Sequence, residues 1–193
     1  MLKINKGEPW IMWPDAMVNS FIEFPANRIM DYDGDFKISM EFDLHEEVKQ
    51  KGSLFTRLPT YCGFDVETWG AMFILTNEKN EMSYLQFDYV WEPNKLYSLQ
   101  INKTSNVIEL ILNDEVMIRH EMSCKLGSNG NSHFIFGCGN HPSNDFNLNH
   151  IGYNVHSFKI TKEGDTICEH DFKEFIHNKA VDITGNCNFI HKN

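Results

Sequence analysis

Glu41, Asp43 and Glu46 form the sharpest chemical pattern in the chain, E-x-D-x-x-E. Two carboxylates about 5–5.5 Å apart, one a nucleophile and one an acid/base, can hydrolyse a glycosidic bond with retention. On a strand, alternation puts Glu41 and Asp43 on one face, and a bulge near Leu44–His45 is needed to return Glu46 to it. A plainer reading competes: carboxylates on the polar side of an amphipathic strand are ordinary solvated residues, and so short a motif specifies function weakly. The sequence favours the plainer reading, and no catalytic residue is assigned.

Aromatic side chains in polar loops carry the second signal. The segment from Leu58 to Gly70 is longer than a simple hairpin and holds Tyr61, Asp65, Glu67 and Trp69. Sugar rings offer apolar C–H faces on which aromatic rings stack, while carboxylates and amides take the hydroxyls. Long loops in compact domains often carry function. Trp91 lies beside a second polar stretch. Against this, aromatic rings mostly pack into cores, and Trp69 and Trp91 can equally cap the core edge.

A third segment, Gly137 to Asp145, contributes Asn140, His141 and Asp145, whose amide, imidazole and carboxylate suit hydroxyls or a hard cation. Calcium takes six to eight oxygens, more than Asn144, Asp145 and Asn147 supply. Asp31-x-Asp33-Gly34-Asp35 is acidic, but its glycine is misplaced for an EF-hand loop. Calcium stays an alternative, and no cofactor is expected. The nine histidines, Cys168-x-His170 included, show no zinc-ligand spacing. There is no phosphate-binding glycine loop and no G-x-S-x-G.

The elements that must position these residues are strands. Phe36, Ile38, Met40, Phe42 and Leu44 alternate with Lys37, Ser39, Glu41 and Asp43, one face for a core and one for solvent or ligand. Further runs are Ser53–Thr56, Ala71–Leu75, Tyr84–Trp91, Leu96–Asn102, Val107–Leu112, Val116–Arg119, Phe134–Phe136 and Val155–Ile160. Polar turns separate them, among them Pro93-Asn94, the run from Lys103 to Asn106, Asn113-Asp114 and Gly164-Asp165. Many short strands at this spacing indicate a sandwich or barrel. Asp171 to Asn178 is expected to give a helical turn or two.

At 193 residues with 41% hydrophobic content and 15 Phe, the chain suits a single all-β domain spanning residues 1–193. A net charge of −10 and the absence of basic runs disfavour nucleic acid and anionic membranes. No apolar run approaches a membrane span. Five cysteines with no C-x-x-C read as reduced thiols. With no signal peptide in the opening residues, a cytoplasmic or particle-associated protein is expected, or a piece of a larger chain.

The order of the strands resembles a family. Phe21-Ile22-Glu23-Phe24-Pro25, Asp35 to Phe42, Gly52 to Thr56, Pro93 to Ile101, Val107 to Val116, Phe134 to Gly137, Ile151-Gly152 and Asp182 to Asn188 follow one another as in laminin G-like, concanavalin A-like modules. The resemblance implies a two-sheet antiparallel jelly-roll sandwich. It hosts lectins, glycan-binding modules, glycosidases, lyases and structural spacers, so it does not settle function. The E-x-D-x-x-E pattern matches retaining β-glucanases of this fold, but here it sits on an early strand. In legume-type relatives Asn and Asp hold calcium near the sugar site.

Together these readings point to a non-catalytic, lectin-like module for a glycan or polysaccharide, accessory to a glycan-processing enzyme. Its expected ligand-binding residues are Tyr61, Asp65, Glu67, Trp69, Trp91, Asn140, His141 and Asp145. The rivals are a structural or assembly module, which forms an oligomer, and a glycosidase using Glu41, Asp43 and Glu46.

Overall fold

A computed structural model describes residues 2–4, 8–10, 13–18, 21–27, 34–58, 62–127, 132–136, 139–140, 146–147, 151–172, 175–176, 179–180 and 190–192. Its two large sheets are built from β1 (Leu2–Ile4), β2 (Phe21–Asn27), β3 (Phe36–Leu44), β4 (Gly52–Leu58), β5 (Cys62–Glu67), β6 (Gly70–Thr76) and β7 (Met82–Asp88). The later strands are β8 (Tyr97–Thr104), β9 (Val107–Leu112), β10 (Glu115–Glu121), β11 (Ser132–Phe136), β12 (Tyr153–Lys162), β13 (Asp165–His170) and β14 (Ile190–Lys192). One sheet runs β1-β12-β3-β8-β9-β10, with β13 also paired to β12; the other runs β14-β2-β11-β4-β5-β6-β7. Neighbours pair antiparallel throughout, and no helix occurs among the described residues. The architecture is an all-β, two-sheet antiparallel jelly-roll sandwich.

The alternation of β3 appears as written in its sequence. Its five apolar residues are buried, and they meet apolar partners on both sides: Met40 lies between Leu99 and Phe158, Ile38 between Ile101 and Ile160. Such cross-strand pairs hold a sheet in register. The inner faces of the two sheets share one core. Phe136 of β11 meets Phe158 of β12 edge-on at 4.9 Å, and the Tyr153 hydroxyl donates to the Leu54 carbonyl across the sandwich.

Asn113 and Asp114 both adopt positive φ, 51° and 66°, in the two-residue loop joining β9 to β10. That is the turn whose twist matches paired strands, as the Asn-Asp dipeptide leads one to expect.

Three expectations are corrected. The stretch between Leu58 and Gly70 is not one long loop: Cys62–Glu67 is an interior strand, buried from Cys62 through Val66 between β4 and β6. Lys103 and Thr104 belong to β8 rather than to a turn, because pairing with β9 and β3 carries the ladder past the last apolar residue. Asp171–Asn178 forms no helical turn over its described residues; Phe175–Ile176 pairs with Lys179–Ala180 as a short hairpin.

Candidate functional site

Trp69 occupies the two-residue turn between β5 and β6, where Glu67 pairs with Gly70. The residue is 41% exposed. The turn beneath it is pinned from three directions. The Trp69 carbonyl accepts from the Tyr89 amide at 3.1 Å, and the Gly70 carbonyl accepts from the Trp91 indole N–H at 2.6 Å. Gly70 itself lies so close to β7 that a Cβ would collide with the Phe87 carbonyl oxygen, so only glycine fits. Gly70 pairs with Asp88, and Gln86 lies two residues along the same outward row. Trp69, Gln86, Phe87 and Asp88 line a shallow cleft of about 410 Å³. An exposed ring over a rigid turn, flanked by an amide and a carboxylate, can stack on a sugar face and bind its hydroxyls.

The acidic residues of the same segment divide. Asp65 is fully buried, with Lys51 Nζ 2.8 Å from its carboxylate, so it serves an ion pair inside the protein and is closed to a ligand. Glu67 lies 3.8 Å from the same ammonium and is only partly buried. Burial lifts the Glu67 carboxyl above the ordinary range; the Lys51 charge opposes this and the Asp65 charge adds to it.

Trp91 does not join Trp69 at the surface. It is 7% exposed and packs against Tyr89 at 4.7 Å, Tyr97 at 5.0 Å and Phe42 at 6.0 Å between ring centroids. The apolar partners supply its burial and Gly70 supplies the acceptor its N–H requires, so the ring anchors the turn from below. Tyr61, His141 and Asp145 lie outside the described residues, as do Asn144, Asp31 and Asp33 of the calcium reading. Asn140 pairs with Phe146 in a short ladder, and its side chain lies outside the description.

The carboxylates of the E-x-D-x-x-E pattern sit elsewhere, on the outward face of β3. Ser157 donates to Glu41 at 2.9 Å, and Asn154 donates to Asp43 at 2.8 Å. His156 Nε2 is 2.5 Å from the other Asp43 oxygen, and His45 Nε2 is 3.0 Å from the Asn154 side-chain oxygen. The bulge falls on β12, between Val155 and Ser157, and not near Leu44–His45. Glu46 follows the strand as an exposed bend. Both strand carboxylates are thus held by hydrogen bonds from β12. Among the described residues no group of three or more His, Cys, Asp or Glu is placed to hold a metal ion.

Gln86 and Asp88, which line the cleft with Trp69, are the candidate-site residues that sequence reasoning missed. Gln86 and Asp88 alternate with Leu85 and Phe87, which marks them as outward-facing. Their closeness to Trp69 depends on the β6–β7 register, and no local pattern encodes that.

No family model and no curated protein matches the chain by sequence. Solved structures do match by fold. The binding domain of botulinum neurotoxin serotype G aligns with a TM-score of 0.62 at 12% identity, over 84% of this chain and 39% of that one. A botulinum neurotoxin type C structure, whose cell entry is described as dependent on interaction with two ganglioside molecules, gives 0.61 at 12% identity over 84% and 43%. A heptameric SAP-like pentraxin from Limulus polyphemus gives 0.51 at 12% identity over 82% and 74%. The chain spans about two fifths of the length of the neurotoxin chains. At these identities the likeness concerns fold alone, and that fold is the jelly-roll-like sandwich described above.

Proposed function

We propose that the chain is a non-catalytic carbohydrate-binding module of the concanavalin A-like, laminin G-like kind, with residues 1–193 acting as one domain and a glycan as partner. The observation that carries this reading is Trp69, an exposed ring on a pinned turn beside Gln86, Asp88 and Glu67. The ganglioside interaction of the type C neurotoxin supports it, because a similar fold occurs there in a protein that meets sugars. The bulge needed near Leu44–His45 to return Glu46 to the face of Glu41 and Asp43 falls on β12 instead, which favours binding over hydrolysis.

A glycan array probed with the intact chain tests the reading. Binding to at least one glycan class is expected, at the micromolar to millimolar Kd of a single stacked site, about 4–8 kcal/mol. No binding to any glycan at millimolar concentration contradicts it.

A second reading, a protein-assembly module, is favoured by one observation: Tyr84, Val90 and Val116 are exposed apolar residues on or just beyond β7 and β10, the strands that end the two sheets. A stable oligomer in light scattering, combined with no glycan affinity, would select it.

A further inference from the structure

A lysine stands in the core-facing row of β8. Tyr97, Leu99 and Ile101 occupy that row at the two-residue period and are buried; Lys103 takes the next inward place, its side chain 9% exposed. Lysine is almost never that buried unless it is paired. Here the strand reaches the end of the sandwich, and Lys103 lines a cavity of about 770 Å³ there. Its ammonium donates to the Gly34 carbonyl at 2.6 Å. The nearest carboxylate oxygen, Asp35 Oδ1, is 3.8 Å away, beyond hydrogen-bond reach, and already accepts from the Ser105 amide at 2.6 Å. An ammonium has three donors. Two of those on Lys103 therefore have no hydrogen-bond acceptor among the described residues, and a buried charge is costly until its donors are met.

The rest of the lining sets the charge of what can meet them. Among the described residues, Lys103 and Lys125 stand against Asp35 and Glu78, two ammonium groups against two carboxylates, so this part of the wall is neutral in sum. A ligand with net charge gains little from such a wall. Vicinal hydroxyls, which both donate and accept, suit an ammonium and a carboxylate side by side. The Ser123 hydroxyl adds a group of both kinds, and Met122 supplies an apolar surface for ring C–H groups.

We propose that this cavity binds a neutral, hydroxyl-rich ring, the chemistry of an uncharged sugar residue, with Lys103 donating to one hydroxyl and Asp35 accepting from its neighbour. The ligand class extends the glycan-binding reading above, but the residues are separate. Glu78, on the β6–β7 turn, and Trp69, on the β5–β6 turn, lie at opposite ends of β6, about 20 Å apart for a strand of this length.

Amide shift mapping of the isotope-labelled full chain tests this. The probes are methyl glycosides of glucose, galactose, mannose and N-acetylglucosamine, each taken to about 50 mM, well above a millimolar Kd, with galacturonate as the charged control. Saturable shifts at Ser123, Cys124 and Lys125 are expected with at least one neutral glycoside and not with galacturonate. Affinity should fall about tenfold or more in Lys103→Met. The proposal is overturned if no neutral glycoside moves those amides, if only galacturonate does, or if Lys103→Met binds as the unaltered chain does. Should that variant fail to fold, alkylation of Cys124 in the unaltered chain decides: a bound glycoside slows it, and an unchanged rate overturns the proposal. The Trp69 indole N–H and the Gln86 side chain report the other end in the same titration, so either site can fail without the other.

Discussion

The fold disfavours the charged form of Glu67. Its carboxyl is held above the ordinary value near 4.5 by burial and by Asp65, against the pull of Lys51. A carboxyl raised in the folded state binds its proton more tightly there than in the unfolded chain. Its contribution is therefore most favourable below about pH 4.5 and is lost as pH rises through that value and beyond. Glu67→Gln should stabilise the protein relative to the unaltered chain at pH 7, with the gap closing toward pH 4, as read by urea denaturation at both values; a gap that widens on acidification contradicts this. The cysteines give a second test at this scale. Burial pushes the Cys62 thiol up to about 12, with Arg57 opposing, and Cys168 is equally buried. Cys124 is only partly buried. Brief iodoacetamide treatment at pH 8 should label Cys124 and spare Cys62 and Cys168 until denaturant is added, since the thiolate is the reactive form. Peptide mass mapping checks it, and native labelling of Cys62 at the rate of Cys124 contradicts it. At this scale the sequence was half legible. Trp69 could be placed at a loop end from its position before an apolar run. The fates of Asp65 and Trp91 could not, because Lys51 and Gly70 reach them only through strand pairing.

Strand β3 was readable from its period, because one face is wholly apolar and the other polar. Strand β5 was not: Gly63 and Asp65 are poor strand residues, and Pro59 precedes them. Its stability comes from neighbours on both sides rather than from its own composition. Trp91 shows the same dependence on context. It sits just beyond β7 with the alternation of Leu85, Phe87 and Tyr89, and the aromatic cluster with Tyr89, Tyr97 and Phe42 draws it inward. Trp91→Ala should cost about 3–5 kcal/mol of folding stability, the usual range for a buried large aromatic. Trp69→Ala, on the exposed turn, should change stability by less than about 1 kcal/mol. Chemical denaturation of both variants compares them, and equal losses would show that both rings belong to the core.

The whole molecule was the most legible level in one respect and the least in another. Repeated short strands, regular turn signals and the absence of long helical periodicity pointed to a sandwich, and the sandwich is what forms. Function was not readable to the same depth, because this scaffold accepts many sites at its ends and faces. The groups that meet at each end come from turns and strands distant in sequence: Trp69 with Gln86 and Asp88 at one end, Lys103 with Asp35, Glu78 and Ser123 at the other. The central claim is that the molecule holds a glycan at the Trp69 turn without cleaving it. Calorimetric titration of the oligosaccharide selected by the array tests this most directly, using the unaltered chain and Trp69→Ala, with the sugar recovered and analysed afterwards. Saturable binding by the unaltered chain is expected, with a loss of about ten- to a hundredfold in the variant at unchanged stability and intact sugar at the end. Equal affinity in both proteins, or recovery of a hydrolysed product, would contradict it.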